Sequence, residues 1–468
     1  MTDDPCMLSA TAAVTALRAG EVHPRELVEA SLRRIELVDP DLNALPTVCA
    51  ERALDAAALV PADAPLAGLP FAVKDLTDVA GVRTTYGSPI FADHVPDRSN
   101  ILVERLERRG GIVVAKSNTP EFGAGGNTFN EVFGDTRNPW DTSRTCGGST
   151  GGSAAALASG QVWLATGSDL GGSLRTPAGF CGVVGLRPCP GRVARGPEQL
   201  PFDTLSVEGP MGRTVADAAL MLDAMAGSHP LDPLSLEAPS RPFAEAAAEP
   251  ALPSRVAFSP DLGITPVAPE VREACELAVR QLAGAGVEVE LVHPDLADAP
   301  EAFQVLRAAG FVAGLGPLLE THRDQLKPDV IWNIERGLRL DAERVGWAER
   351  ARGQIQQRLA AFLEQHQLLL CPSACVAPFD VAVRWLREID GVQLDDYVEW
   401  LRITSSITLS ACPVVAMPCG LTVDGLPVGL QFVGRPHGEW ALLRAAAAAE
   451  QVFGMAGRVP LVPAVRAG

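Results

Sequence analysis

Two glycine-dense segments that each carry serines constrain this chain more than any other feature. The first is CGGSTGGS over residues 146–153 and the second is DLGGS over residues 169–173; their serines Ser149 and Ser173 lie 24 positions apart. Glycine permits positive φ angles and lets the backbone approach a ligand closely. A serine in such a loop can present a bare hydroxyl beside backbone N–H donors, which is what attack on a carbonyl carbon requires.

Predicted strands and helices alternate along the chain. Helices are predicted at 24–38, 102–109, 153–159, 269–282 and 439–453, and strands at 68–73, 112–115, 162–166, 255–258, 287–292, 368–371, 414–417 and 428–433. This alternation is typical of the α/β class, with a large mixed, twisted β-sheet covered by helices on both faces. Residues 1–60 are predicted to form an N-terminal helical part. The six prolines of segment 229–254 predict an irregular surface excursion.

The charge balance argues against several kinds of partner. The chain has a formal net charge of −18 and a sequence pI of about 4.9, and no block of Lys and Arg stands out. We therefore expect neither nucleic acid nor a membrane as a partner. The N-terminus lacks the basic and apolar regions of a signal peptide. No uninterrupted apolar run reaches the roughly 18 residues of a membrane span.

The ten cysteines show neither a metal-site spacing nor a disulfide framework. None belongs to a CxxC pair, and no Cys/His pair with zinc-site spacing follows Cys371 and Cys375. We therefore expect that the chain binds no metal, that its thiols are reduced and that the protein is cytoplasmic.

Other interpretations of the glycine-dense segments fit less well. Ser149 stands in a G-x-S-x-G pattern, but the polar, proline-broken residues 138–145 before it do not form the strand that a hydrolase nucleophile elbow needs. Neither segment has the spacing of a P-loop or of a dinucleotide-binding loop. A purely structural role would be the default for one such loop. For two such loops a purely structural role is less favoured, because each glycine costs conformational entropy on folding.

The base that takes a proton from the attacking serine is not expected to be a histidine, because the later histidines (229, 293, 322, 366 and 437) stand in no recognisable context. A neutral lysine can serve instead, and burial lowers the pKa of a lysine. Lys74 and Lys116 both end short apolar strands. The local pattern leaves either lysine open as the base, and either open as an ordinary charge at a strand end.

Several motifs together resemble those of the amidase signature family. The defining stretch is residues 147–156, 167–175 and 180–188; further motifs are GLP at 68–70 with VKD at 73–75, KSNTPEF at 116–122, NPW at 138–140, GPM at 209–211 and GLPVGLQ at 425–431. The resemblance covers nearly the whole chain. It implies one domain over residues 1–468 with the amidase signature fold.

The resemblance also implies a catalytic set. The family's lysine falls on Lys74, its serine with a preceding cis peptide bond on Ser149, and its nucleophile on Ser173, so that Lys74 is favoured over Lys116. Further implied positions are backbone donors of the oxyanion hole (Leu170, Gly171, Gly172 and Ser173), a pocket wall (Gly123) and supporting residues (Thr150, Asp169 and Arg175). Three departures from the family's frequent residues, at Cys146, Thr150 and Ser168, remove no reacting group. No metal or organic cofactor is implied.

The activity that the resemblance implies is amidase activity, the hydrolysis of C–N amide bonds through an acyl-enzyme. Small aryl or alkyl amides are the expected substrates, with carbamate (urethane) bonds as a further class. The alternative is a protein similar to the ammonia-releasing A subunit of an amidotransferase, which acts in a complex. Because family members often dimerise, a homodimer is an expectation. In the C-terminal half, Trp332, Tyr397, Trp400 and Leu401 are candidates for pocket walls or for core.

Overall fold

A computed structural model of the chain describes residues 4–61, 63–197, 199–460 and 462–464. The α-helices are α1 (Ala10–Ala19), α2 (Pro24–Leu42), α3 (Ala50–Ala57), α4 (Ile101–Arg108), α5 (Gly151–Ala158), α6 (Arg175–Cys181), α7 (Val215–Met225), α8 (Phe243–Ala248), α9 (Pro269–Gly284), α10 (Ala299–His322), α11 (Pro328–Leu338), α12 (Ala342–Gln365), α13 (Arg402–Thr408) and α14 (Glu439–Phe453). The strands are β1 (Thr47–Val48), β2 (Pro70–Lys74), β3 (Ile112–Ser117), β4 (Phe129–Asn130), β5 (Gly134–Asp135), β6 (Arg137–Asn138), β7 (Asp141–Thr145), β8 (Leu164–Asp169), β9 (Val184–Arg187), β10 (Val207–Gly212), β11 (Arg255–Phe258), β12 (Glu288–Leu291), β13 (Leu369–Pro372), β14 (Glu388–Ile389), β15 (Val392–Gln393), β16 (Val414–Leu421) and β17 (Pro427–Val433).

One mixed sheet of eleven strands organises the described chain. Its strand order is β1-β3-β2-β8-β10-β9-β16-β17-β13-β11-β12. Pairing is parallel between β2 and β3, between β2 and β8, and on both sides of β11. The remaining neighbours pair antiparallel, as β8 does with β10. The α/β class and the large mixed sheet are therefore confirmed.

Helices cover both faces of this sheet. Along β2, Phe71 and Val73 pack into one hydrophobic core, whereas Ala72 between them packs into a second core. Alternate side chains of a strand point to opposite faces, so the two cores lie on opposite sides of the sheet. Helices α7, α9 and α14 contribute to the first core, and α2, α3 and α5 contribute to the second.

Two segments differ from their sequence-based expectation. The strand expected at 162–166 is β8, which runs on to Asp169 because Gly167, Ser168 and Asp169 pair with β10. The segment 229–254, expected to be an irregular surface excursion, contains the short helix α8. Phe243 and Ala246 of α8 are buried, because the helix packs against α7 and α14.

One helical stretch, Ala299–Gln325, is long and apolar enough to cross a membrane by length and composition alone. The sequence predicted no such segment, since no uninterrupted apolar run is long enough. The stretch contains charged residues such as Arg307, and 33 % of its most apolar part is buried inside the protein. Core helices of soluble proteins meet the same criterion.

The parallel pairing of β2 with β8 positions the glycine-dense segments. Because the two strands run in the same direction, their carboxyl ends lie at the same edge of the sheet. Lys74 is the last residue of β2 and Asp169 is the last residue of β8. The first glycine-dense segment leads into α5, and the second leads from β8 into α6. Both segments and Lys74 therefore meet at one edge.

Candidate active site

Lys74 is fully buried and its amine contacts three hydroxyl groups. Its Nζ lies 2.8 Å from Ser149 Oγ, 2.9 Å from Thr150 Oγ1 and 3.0 Å from Ser168 Oγ. Burial lowers the pKa of this amine to about 7, although the nearby carboxylates of Glu208 and Asp169 act in the opposite direction. The amine is therefore poised between its charged and neutral forms near neutral pH.

Lys116, the other lysine that the local pattern left open, has a different environment. Its Nζ forms an ion pair with Asp75 Oδ1 at 3.0 Å. It also donates to the Thr77 carbonyl at 2.8 Å and to Thr84 Oγ1 at 2.7 Å. Neither serine of the glycine-dense segments is among these partners. Lys116 thus anchors the loop after β2, away from the three hydroxyls that surround Lys74.

The two glycine-dense segments are joined directly. Thr150 N donates a hydrogen bond to the Ser173 carbonyl at 3.2 Å. The peptide bond between Gly148 and Ser149 is cis. Ser149 is 2 % exposed, Ser173 is half-buried, and both line the same cavity. One cavity therefore presents both serines, and Lys74 lies behind Ser149.

Asp169 is the acceptor at the centre of a buried hydrogen-bond network. It accepts from Arg175 Nε at 3.0 Å and Nη2 at 2.9 Å, and from Arg187 Nη1 at 3.2 Å. Burial alone would raise the pKa of this carboxyl, but the two guanidinium groups hold it well below its usual range. Arg175 also donates to the Thr404 carbonyl and to Gln431 Oε1, both at 2.8 Å. The network fixes the end of β8 against α13 and β17.

The backbone N–H groups that follow β8 are not equivalent. Gly172 N donates to Asp169 Oδ1 at 3.0 Å, so this group, expected from the sequence to be an oxyanion-hole donor, already has an acceptor. The described residues supply no acceptor to the N–H groups of Leu170, Gly171 and Ser173. Gly172 has φ +121°, and a Cβ there would lie 2.3 Å from Thr404 Oγ1. Glycine is therefore required at 172 for backbone geometry.

The cavity at this edge of the sheet has a volume of about 100 Å³. Its described lining contains one charged side chain, Arg307, and no carboxylate. A larger cavity of about 680 Å³ shares Leu76, Phe122 and Ser206 with it. The larger cavity also has Phe91 in its wall. A narrow chamber at the serines thus adjoins a wider one whose wall contains both aromatic and polar side chains.

Gly123 lies in the wall of the narrow chamber, beside Ser149. Its φ is +70°, and a Cβ at this position would lie 3.0 Å from Leu76 Cδ1 and 3.4 Å from Ser149 Oγ. The residue therefore combines a backbone conformation that L side chains rarely adopt with a close approach to the Ser149 hydroxyl.

The C-terminal pocket candidates separate into wall and core. Leu401 lines the narrow chamber, whereas Trp332, Tyr397 and Trp400 are absent from its described lining. Trp400 is buried between the rings of Phe180 and Phe379. Lining residues that sequence reasoning missed are Leu76, Ser206, Phe303, Arg307, Phe311 and Val398. The spacing of 303, 307 and 311 on one helix face could have found three of them.

The described residues contain no group of three or more His, Cys, Asp or Glu side chains that could hold a metal ion. The reactive groups that the site presents are its hydroxyls, the Lys74 amine and its backbone donors.

Comparison with known proteins finds relatives that match nearly the whole chain. A family model described as Amidase matches residues 26–443. An acylamidase from Rhodococcus erythropolis is 35 % identical over 466 residues, which cover 97 % of this chain and 97 % of the relative. The A subunit of a glutamyl-tRNA(Gln) amidotransferase from Synechococcus sp. (strain CC9605) is 33 % identical over 487 residues, which cover 96 % of this chain and 97 % of the relative.

Solved structures give the same result. The crystal structure of a bacterial aryl acylamidase of the amidase signature enzymes superposes with a TM-score of 0.90 at 27 % identity. The superposition covers 97 % of this chain and 98 % of that structure.

Proposed function

The chain belongs to the amidase signature family, as its motifs predicted, and from this premise we propose that it hydrolyses small aryl or alkyl amides through an acyl-enzyme on Ser173. Lys74 and Ser149 carry the proton that leaves the Ser173 hydroxyl. The observation that carries this proposal is the contact between the buried Lys74 amine and Ser149 Oγ at 2.8 Å.

The three hydroxyl contacts of Lys74 accommodate either a protonated amine, which donates to all three, or a neutral amine that can act as the base. A neutral amine has two N–H donors and one lone pair. The Thr150 hydroxyl donates to the Ser168 carbonyl at 3.3 Å, so its oxygen accepts from Lys74. If Ser168 Oγ accepts the second N–H, the lone pair remains for the Ser149 hydroxyl proton. A pKa lowered by burial to about 7 makes this form accessible near neutral pH.

The reaction follows from this arrangement. Ser173 Oγ attacks the amide carbonyl carbon while its proton passes to Ser149 Oγ and the Ser149 proton passes to Lys74 Nζ. The N–H groups of Leu170, Gly171 and Ser173 are the donors for the oxyanion, and one such donor is typically worth about 2.7–4 kcal/mol. As the C–N bond breaks, the proton returns through Ser149 to the leaving amine nitrogen. Water then attacks the acyl carbon while its proton passes through Ser149 to Lys74. The bond between the acyl carbon and Ser173 Oγ breaks, the proton returns through Ser149 to Ser173 Oγ, and the carboxylic acid leaves.

The two chambers support small amides with one bulky apolar part. The wall of the wider chamber is mixed: Tyr86, Phe91 and Phe122 suit an aryl or alkyl group, and polar side chains that include Asp78 and Asp203 lie beside them. The relatives named acylamidase and aryl acylamidase support the same class. A carbamate presents the same carbonyl carbon to Ser173, so carbamates are included as a further substrate class.

Ammonia release from glutamine is the alternative, since amidotransferase A subunits are among the relatives. Free glutamine carries an α-ammonium group, and a buried cation needs a paired anion. The described lining of the narrow chamber offers no carboxylate for it. In the narrow chamber this observation favours amides without an ammonium group, whether or not they carry a carboxylate as glutamine does.

A panel of anilides, primary amides, p-nitrophenyl carbamates and glutamine tests the proposal. We expect turnover of anilides or alkyl amides, and labelling of Ser173 by a fluorophosphonate probe followed by peptide mass spectrometry. Ser173→Ala should abolish both, and Lys74→Met should lower kcat by roughly 10²- to 10⁴-fold. Ser240→Ala, at an exposed serine, is the matched control.

Three results would contradict the proposal. They are labelling at another residue, a loss of less than about tenfold in Lys74→Met, and turnover of glutamine alone. Far-ultraviolet circular dichroism of each variant separates loss of chemistry from loss of fold.

A further inference from the structure

Arg307 is a buried cation in the wall of the narrow chamber. It is 7 % exposed and lies on α10, which also contributes Phe303 and Phe311 to the same wall. Its Nη2 donates to the Tyr397 hydroxyl at 2.7 Å, and its Nη1 donates to Asn333 Oδ1. Both partners are neutral. Within the part of the chain that the structure describes, no carboxylate lies within 4.0 Å of its nitrogens.

Two carboxylates of this neighbourhood contact Lys327, one through its amine and one through its backbone N–H. Lys327 Nζ lies 3.5 Å from Asp329 Oδ2, and Lys327 N donates to Glu121 Oε2 at 2.8 Å. Arg307 is left with the rings of Phe311 and Tyr397, whose centroids lie 4.5 Å and 5.3 Å from its Cζ. The two rings hold the guanidinium in place but leave its charge without an anion.

A buried guanidinium without an anion calls for an explanation, because buried charges are ordinarily paired. Bracing α10 against α11 needs only two donors, which an uncharged amide side chain could supply to Asn333 and Tyr397. A guanidinium has five N–H donors, and the described hydrogen bonds use two. The remaining donors and the positive charge match a carboxylate, which a guanidinium binds in a bidentate manner.

We propose that Arg307 binds a carboxylate of the substrate, so that the preferred substrates of this chain are amides that carry a carboxylate. The proposal rests on the amide hydrolysis proposed above and names its substrate class. No acidic side chain is present in the described lining of the narrow chamber, so none would contact the anion directly. The carboxylate can belong to the acyl part or to the amine part of the amide.

Two matched substrate pairs test the proposal and distinguish these two sources. N-phenylsuccinamate against N-phenylbutyramide places the carboxylate on the acyl side, and 4-acetamidobenzoate against acetanilide places it on the amine side. For wild type we expect kcat/KM of the anionic member to exceed that of its neutral partner by roughly 10- to 100-fold in one pair, as a charge-assisted hydrogen bond would give. Arg307→Met should bring this ratio close to one, because only the anionic member loses a charged partner.

Arg307→Lys, which keeps the charge but loses the planar fork, should retain part of the preference. Arg344→Met is the control, because Arg344 is an exposed arginine whose ion pair with Glu301 lies at 2.6 Å. The proposal is overturned if wild type prefers neither anionic substrate, or if Arg307→Met lowers turnover of both members of a pair alike. Calorimetric binding of the four compounds to Ser173→Ala tests the carboxylate site separately from amide hydrolysis. Anion-selective binding that depends on Arg307, without turnover by wild type, supports the carboxylate site and contradicts amide hydrolysis.

Discussion

At the scale of single residues, the proposed chemistry depends on a balance around the Lys74 amine. Burial lowers its pKa, and the negative charges of Glu208 and Asp169 raise it, with about 7 as the result. A much lower pKa would give a weak base, and a pKa of an exposed lysine would leave the amine protonated. The nearby carboxylates therefore set the pH range in which the amine can accept a proton.

Glu208→Gln should move the acid limb of the pH profile to lower pH. Removing the negative charge destabilises protonated Lys74, so its pKa falls and the neutral base persists in more acidic solution. We expect kcat/KM at pH 6, relative to the plateau, to rise by roughly two- to tenfold, since one pKa unit corresponds to tenfold. Initial rates from pH 5 to 9 measure the effect, with the exposed Glu245→Gln as control. An unchanged limb, or one displaced to higher pH, would show that Lys74 does not govern it.

Gly123→Ala separates backbone strain from crowding of Ser149. Gly81 is a matched control, because its φ of +72° nearly equals the +70° of Gly123 and a Cβ there meets nothing within 4 Å. Either alanine should lower the free energy of unfolding by about 1–2 kcal/mol, the cost of the left-handed conformation. Only Gly123→Ala brings a methyl group towards Ser149, so it alone should reduce kcat/KM, by roughly 10- to 100-fold. Urea unfolding and steady-state kinetics on both variants give the comparison; equal activities would mean that the wall at 123 does not position Ser149.

At the scale of secondary-structure elements, Asp169 connects β8 with α6 and β9. Asp169→Asn would leave Arg175 and Arg187 buried without their carboxylate, and breaking a buried pair in this way typically costs about 3–5 kcal/mol. Because the folded-state pKa lies below its ordinary value, this stabilisation is fully present above about pH 4 and is lost as pH falls through the folded-state pKa. In urea unfolding, Asp169→Asn should therefore lower the free energy of unfolding by the same large amount at pH 5 and at pH 7. The exposed Asp295→Asn should lower it negligibly. A loss below about 1 kcal/mol at pH 7 would contradict the role assigned to this network.

Elements with strong local patterns could be predicted from the sequence, and those that depend on distant pairing could not. The apolar run before Lys116 predicts β3, and Pro24 with its apolar helical face predicts α2. The last three residues of β8 are Gly, Ser and Asp, which are poor strand formers on their own. They are extended because β10 pairs with them, and no local pattern contains that information.

The same distinction holds within the site. Lys74 and Lys116 have similar local contexts, and only the fold gives one an ion pair with Asp75 and the other a contact with Ser149. The family resemblance chose Lys74 where local reasoning could not. It also led us to count Gly172 among the oxyanion donors, whereas the N–H of Gly172 donates to Asp169 because the loop folds back on that carboxylate.

At the scale of the whole molecule, ten free cysteines are distributed through the protein, whose proposed site uses serines. Nine are buried and Cys49 is half-buried. Burial raises the pKa of the Cys49 thiol to about 11 and that of Cys146, in the first glycine-dense segment, to about 12. Since the thiolate is the reactive form, the nine buried cysteines should be inert in the folded protein, and half-buried Cys49 is the one that a reagent can reach.

Thiol titration and inactivation kinetics together test this picture. In the native protein we expect at most one thiol, that of Cys49, to react within minutes with a disulfide reagent, and all ten to react in denaturant. Cys49→Ser should remove the native reaction. Because neither Ser149 nor Ser173 depends on a thiol, iodoacetamide should leave amide hydrolysis intact, whereas a fluorophosphonate should abolish it. Inactivation by iodoacetamide that Cys146→Ser prevents would mean that the glycine-dense segment opens enough to ionise a thiol beside the site, and the rigid placement of Ser149 next to Lys74 would then have to be abandoned.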